Sequence, residues 1–329
     1  MQTIEKFVIE KLADKKLISS LFTVLKVGFF FLLCSGIYSQ LEKYGTAEWY
    51  TYFSTLETTY LFFSVAILFA LMILNWGLES LKWHILINKI QKHNFLTSIK
   101  AIFASVSFGF NTPNRVGEFG GRLLFVKREN IFKAIGLSFI GSFFQLFVTL
   151  VLGSTSLLIY LQVNDNSMIS NNLVIASLII TAVISLIILI SWKKWFPLRK
   201  QKRFKELISV VFSWKPRLYF NIFILSLFRY LVYTGQFILL LHIFGIEVAN
   251  WKKGITVSTM YLFQSISPSI SLIDMGIRQN LAYYLFEPFS TNLMGITLAT
   301  FTIWLINLAI PAIIGYGIIL KTKLFENEV

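Results

Sequence analysis

Cysteine is almost missing from this chain: Cys34 stands alone among 329 residues, inside an apolar run. One thiol excludes a disulfide framework and a thiolate metal site. Charge is scarce too, with Asp, Glu, Lys and Arg at 14% of residues, against about 25% in an ordinary soluble domain. The three histidines, His84, His93 and His242, are scattered without ligand spacing, so no metal is expected. No G-x-x-x-x-G-K-[ST] run occurs, which excludes a Walker-type nucleotide site. No pair of carboxylates is placed for acid–base work, and Glu118 is the one candidate general base. Catalytic residues and cofactors are therefore both expected to be none. The N-terminus carries charges up to Lys16 with no A-x-A-like site after the first apolar run, so a cleaved signal peptide is not expected.

What fills the chain instead is hydrocarbon. Hydrophobic residues make up 56% of it, phenylalanine alone accounting for 33 positions. Runs long enough to span a bilayer, about 20 residues, lie at 21–39, 59–80, 132–160, 172–192, 218–244 and 292–320. Two further runs, 98–111 and 254–267, are too short to span, and each ends in a proline, Pro113 or Pro268, that interrupts a helix. Each is followed by a second short run, 119–126 or 277–286. Residues 1–16 place Ile4, Phe7, Val8 and Leu12 on one face, the pattern of an amphipathic helix lying on the membrane surface.

The net charge of +14 comes from basic residues at the ends of apolar runs, which indicates cytoplasmic anchoring rather than nucleic-acid binding. The 193–217 loop holds nine Lys and Arg against Glu206 and is expected in the cytoplasm, as are the basic segments around Lys82–Lys100, Lys127–Lys133 and Lys321–Lys323. Residues 40–58, acidic on balance, and the 161–171 loop, free of Lys and Arg, are expected outside. The 98–126 segment must then enter and leave from the cytoplasm, and 254–286 from the exterior. The expected fold is all-α and polytopic: six spans plus two opposed re-entrant helical hairpins in an inverted repeat, with halves near 59–160 and 218–320. An eight-span chain is the alternative. Residues 17–322 are expected to form one transmembrane domain and 323–329 a cytoplasmic tail, with both termini on the cytoplasmic side.

The hairpin tips carry the chemistry. Thr112-Pro113 leads into Glu118-x-Gly120-x-Arg122, and Ser267-Pro268 leads into Asp274-x-Gly276-x-Arg278. Irregular backbone at membrane depth persists only where it is buried in protein or faces a polar cavity, and substrate sites of inverted-repeat transporters sit where broken helices meet. Arg122 and Arg278 can each present a planar fork to a phosphate. Arg229 falls mid-span in FRYLVYTGQF, where a cation is costly and by default functional. Gly120, Gly121 and Gly276 allow close backbone approach or positive φ, and Gly117 stands with them among the hairpin-tip residues. Gln145, Gln236, Gln264 and Asn307 either line the same cavity or bridge helices by hydrogen bonds. Glu118–Arg122 and Asp274–Arg278 are spaced i, i+4 in the favourable order, so they either bind substrate or staple the hairpins. Arg115 has no counterpart in the second tip and is expected at the cytoplasmic rim; Lys26 is expected to snorkel.

The run TPNRVGEFGGRLLFVKREN resembles the T-P-x-R-x-G-E-x-x-R-type motif of the lysylphosphatidylglycerol synthase transmembrane-region family. The similarity extends over roughly residues 15–322 and includes Arg229. Family members commonly show P-G-G-x-G-x-x-E at the second tip, where this chain has Pro268-Ser269-Ile270-Ser271-Leu272. The best-known relatives, the multiple peptide resistance factors, join this membrane unit to a cytosolic synthase, for which the chain up to Val329 leaves no room. The resemblance implies translocation of an anionic or modified phospholipid, or a polyprenyl phosphate, between leaflets without catalysis. Membrane lipids are the expected partners, with a second copy of the chain or a lipid-modifying enzyme beside them. A small-anion transporter and an accessory subunit of a lipid-linked transferase are the other readings.

Overall fold

The computed structural model describes residues 58–110, 112, 115–165, 210–211, 214–266 and 271–322. The 1–16 segment, Lys26, the spans expected at 21–39 and 172–192, most of the 193–217 loop, Pro113, Pro268 and the 323–329 tail lie outside these residues. All regular structure among the described residues is helical. In chain order the helices are α1 (Thr58–Ile87), α2 (Phe95–Phe110), α3 (Gly117–Leu123), α4 (Ile131–Asp165), α5 (Pro216–Ile243), α6 (Asn250–Ile266), α7 (Ser271–Phe286) and α8 (Leu293–Lys321).

Four of them, α1, α4, α5 and α8, are long and apolar enough to cross a membrane. They outrun the apolar stretches that announce them. Helix α1 continues to Ile87, so Lys82 is buried inside the helix and does not belong to the basic cytoplasmic loop where its charge had placed it. The backbone ladder does not stop at a charge whose partner lies one turn back on the same helix. The α2 and α6 helices, of 16 and 17 residues, reach only about 24–26 Å, short of a hydrocarbon core of about 30 Å. Helix α7 starts at Ser271, six residues ahead of its apolar run.

Helix α3 turns back along α2 with almost no space between the two backbones. A Cβ on Gly121 would collide with Ser105, one on Gly117 with Phe108, and one on Gly109 would lie 2.6 Å from Glu118 Cγ. The pairing runs antiparallel, and the small residues set it. Gly120 and Gly276 behave differently: a Cβ on either would meet nothing within 4 Å, and neither has positive φ. Their expected close-approach role does not apply, because both lie on the outer side of their helices. The strained position at the first tip is Arg115, at φ 56°, a left-handed conformation uncommon for a side-chain-bearing residue. The tip folds around Thr112, whose Oγ1 accepts from Gly117 N at 2.8 Å while its carbonyl accepts from Arg115 N at 3.1 Å.

The two short helices α2 and α6 pack reciprocally on long helices distant in the chain. The first short helix, α2, lies on the last long helix, α8; the second, α6, lies on α4. Gly315 of α8 abuts the Phe103 carbonyl, and Ser107 Oγ donates to the Ala312 carbonyl beside it. Gly153 of α4 faces α6, where an added Cβ would stand 2.7 Å from Leu262 Cβ and 3.1 Å from Ser258 O. Both glycines fall 22 residues after the first residue of their helices, Ile131 and Leu293. Helices α1 and α5 pack together between these pairs. Within α8 the turn Leu305–Ala309 is π-helical. Pro311 lacks the N–H that would reach back to Asn307 and would crowd its carbonyl, and the wider turn relieves both.

Candidate functional site

One stripe of α1 places Asn75, Glu79 and Lys82 at i, i+4 and i+7, one above another on a helix face. All three are buried. Glu79 takes a cation from each of three directions. Lys82 Nζ lies 2.7 Å from Oε2, Arg229 Nη1 of α5 lies 3.1 Å from the same oxygen, and Arg122 Nη2 of α3 lies 2.9 Å from Oε1. An indole covers each guanidinium: Arg122 Cζ is 5.4 Å from the Trp83 ring centroid and Arg229 Cζ is 5.2 Å from that of Trp76. A cation over an aromatic face, removed from water, is held more strongly than an exposed one.

Polar side chains extend this cluster along the helices. Arg229 Nε donates to Asn75 Oδ1 at 3.1 Å and its Nη1 to Gln145 Oε1 at 3.4 Å. Asn75 Nδ2 donates to Asn307 Oδ1 at 3.1 Å, Asn307 Nδ2 to Gln236 Oε1 at 2.8 Å, and Gln236 Nε2 to the Leu68 carbonyl at 2.9 Å. Lys82 Nζ also donates to the Gly141 carbonyl at 3.3 Å and Ser226 Oγ at 3.5 Å. Gln145, Gln236 and Asn307 thus bridge helices α1, α4, α5 and α8. Gln264 lies on α6, its buried amide nitrogen without a hydrogen-bond partner among the described residues.

Of the residues singled out in the sequence, the structure brings Arg122 and Arg229 together on Glu79. Glu118 stands aside: it pairs with Arg115 Nε at 2.6 Å and lies 3.9 Å from Arg122. The i, i+4 staple is therefore loose, because Glu79 competes for the same guanidinium from closer range. Arg278 is held on the other half, its Nη1 donating to Tyr233 Oη at 2.7 Å, with Tyr233 stacked on Tyr261 at 5.1 Å. Tyr233 sits one turn after Arg229 on α5, so Arg278 reaches the same helix about 6 Å further along its axis. Asp274 lies in the first turn of α7, its side chain outside the described set.

Exposure grades the cluster. Glu79, Lys82 and Arg122 side chains are 5%, 2% and 5% exposed, Arg229 is at 20%, Glu118 at 24% and Arg115 at 40%. The charge balance is uneven: three cations surround one carboxylate, and the Arg115–Glu118 pair at the rim adds nothing net. Burial of charge without full compensation is costly. An arrangement of this kind attracts an anion.

A model of one known family, the lysylphosphatidylglycerol synthase TM region, matches residues 17–315. The chain belongs to that family. It is a multi-pass membrane protein, as the family and the four long apolar helices agree. The sequence matches no curated protein, and no solved structure matches it.

Beneath the site, the loop between α1 and α2 is clasped to the chain leaving α3. His93 Nε2 lies 3.2 Å from the Phe125 carbonyl and its Nδ1 2.9 Å from Ser98 Oγ, which also lies 3.2 Å from His84 Nδ1. A carbonyl only accepts, so Nε2 carries the proton and donates to Phe125, while Ser98 Oγ beside Nδ1 also lies within donating range of the Asn94 carbonyl at 3.3 Å. Burial holds His93 below its ordinary value of 6.5, the Phe125 carbonyl pulls the other way, and nearby His84 lowers it further. The folded state thus favours neutral His93; its stabilising effect is present above 6.5 and is lost as pH falls through the depressed value. Amide exchange in residues 88–98 and 123–127, corrected for intrinsic rates, is expected to accelerate between pH 7.5 and pH 5. A His93→Gln variant should flatten that dependence; an unchanged pH profile would show that the clasp does not depend on this histidine.

Proposed function

We propose that this protein moves a phosphate-bearing lipid between the leaflets of a bacterial cytoplasmic membrane, with the headgroup passing over the Arg122–Arg229 cluster while the acyl chains stay in the bilayer. The observation that carries this reading is the buried surplus of cations around Glu79. The reading treats the α2–α3 and α6–α7 pairs as re-entrant hairpins of an inverted repeat, entering from opposite sides, with both termini in the cytoplasm. The reciprocal packing of α2 on α8 and α6 on α4 supports it. Rocking of these pairs against the long helices would open the cluster to one leaflet at a time. Family membership supports a lipid substrate. The action is translocation, without catalysis.

Arg229 offers the cleanest test, since it is the partly exposed cation of the cluster and lies mid-helix on α5. In proteoliposomes carrying fluorescent phosphatidylglycerol or phosphatidic acid, dithionite quenching reports transbilayer movement. Arg229→Gln is expected to slow it at least about tenfold, the loss of one charge-assisted contact of about 1.4 kcal/mol or more, while the variant elutes as wild type on size exclusion. Wild-type rates in that variant would remove the cluster from the lipid path.

A further inference from the structure

We infer that Glu79 is a built-in counter-anion that holds the three cations in place, and that the surplus of two positive charges left around it selects a dianionic phosphate monoester over a phosphodiester or an aminoacylated headgroup. This rests on the phosphate-lipid reading above and narrows it. Both carboxylate oxygens of Glu79 face cations, Oε1 accepting from Arg122 and Oε2 lying within ion-pair distance of Lys82 and Arg229. Among the described residues Arg229 is the most exposed of the three cations on Glu79, at 20%, and its other hydrogen bonds are to the neutral carboxamides of Asn75 and Gln145. Those contacts hold the guanidinium without competing for its charge. Arg122, 95% buried, keeps Nε without a hydrogen-bond partner among the described residues. That leaves an N–H for an incoming oxygen.

The charge count decides the class. Among the described residues, Lys82, Arg122 and Arg229 against Glu79 leave two positive charges uncompensated, and the rim pair Arg115–Glu118 cancels internally. A phosphate monoester, with its second pKa at about 6, is mostly dianionic at neutral pH and balances both. A phosphodiester balances one. A lysyl-modified headgroup brings ammonium groups into a site that already holds excess positive charge, and like charges brought together in a desolvated pocket repel strongly. The family's name refers to a lysyl lipid; the interior of this chain fits a headgroup without an amine.

The test is isothermal titration of the purified full chain in mild detergent with four probes: dihexanoyl phosphatidic acid, dihexanoyl phosphatidylglycerol, a short-chain lysyl-phosphatidylglycerol and inorganic phosphate. Phosphatidic acid is expected to bind at least about tenfold tighter than phosphatidylglycerol, as one more desolvated charge contact requires, and the lysyl lipid weakest of the three. Lys82→Met removes one of the surplus charges and leaves Glu79 with Arg122 and Arg229. It should reduce the preference for phosphatidic acid to within about threefold, the residual expected when one charge is unbalanced. Equal affinity of wild type for the two anionic lipids, or a preference for the lysyl lipid, overturns the inference and needs no variant to do so. Inorganic phosphate binding as tightly as phosphatidic acid would keep the dianion site but overturn the lipid reading. Phosphatidic acid preference with no transbilayer movement of any lipid would leave the selectivity standing and remove translocation.

Discussion

Glu79→Gln is expected to lower the stability of the detergent-solubilised protein by about 3–5 kcal/mol, the cost of leaving buried charge without its partner. The substitution keeps shape and hydrogen-bonding capacity, so loss of hydrogen-bond quality alone would account for only about 0.5–1.5 kcal/mol. The larger figure follows from three cations losing the carboxylate they share in a site where Glu79 is 5% exposed and Lys82 2%. Trp76 and Trp83 lie over the two arginines and report the change directly by fluorescence during denaturant titration. The paired variant Glu79→Gln/Lys82→Met restores the original charge surplus. It should be more stable than Glu79→Gln alone, because residues sharing one ion-pair network couple rather than add. A Glu79→Gln protein within about 0.5 kcal/mol of wild type, the range of surface substitutions, would mean that water already screens the cluster.

That cluster was half legible in the sequence. Arg122 stood out through the repeated acid-x-Gly-x-Arg tips, and Arg229 because a cation mid-span in an apolar run is unusual. Their shared partner was not read, because Glu79 ends an apolar run at residue 80 and Lys82 follows in a basic stretch. Treating the first charge as the end of the helix split two residues that lie three apart on one helix. The available signal was the spacing of Asn75, Glu79 and Lys82, which forms a polar stripe only if the helix continues to Ile87. Tyr233 was missed for another reason: nothing local marks a tyrosine that faces an arginine 45 residues later. The all-helical class with long apolar helices was legible because hydropathy and length report it directly. The bounds of α7 were not, since its first turn is Ser271-Leu272-Ile273-Asp274 and the apolar run begins only at Ile277. Among the glycines, the motif drew attention equally to Gly120 and Gly121, yet on a helix adjacent positions point about 100° apart. Of these two, Gly121 faces α2 and Gly120 does not.

Gly315→Val should be the most damaging single substitution outside the charge cluster. A Cβ at Gly315 would sit on the Phe103 carbonyl carbon and oxygen, which are backbone atoms inside α2 and cannot rotate away, and would press on Ser107 Oγ. Helices α2 and α8 would have to separate, breaking the Ser107–Ala312 hydrogen bond and opening the Phe110–Trp304 ring contact at 6.0 Å. Overpacking of this kind costs about 3 kcal/mol. Gly317, two residues further on the same helix, has nothing within 4 Å of its added Cβ. Gly317→Ala should hold or raise the melting temperature, since alanine is favoured over glycine in a helix by about 1 kcal/mol. Gly153→Val, at the corresponding place on α4, should fall between them. Its neighbours are Leu262 Cβ at 2.7 Å and the Ser258 carbonyl at 3.1 Å, so part of the clash is with a side chain on a helix that can shift by tenths of an ångström. Thermal unfolding of the three variants in one detergent should therefore rank Gly315→Val, Gly153→Val and Gly317→Ala from least to most stable. Equal losses at Gly153 and Gly317 would mean that α6 does not rest on α4 as α2 rests on α8, and the reciprocal packing of the two halves would fail.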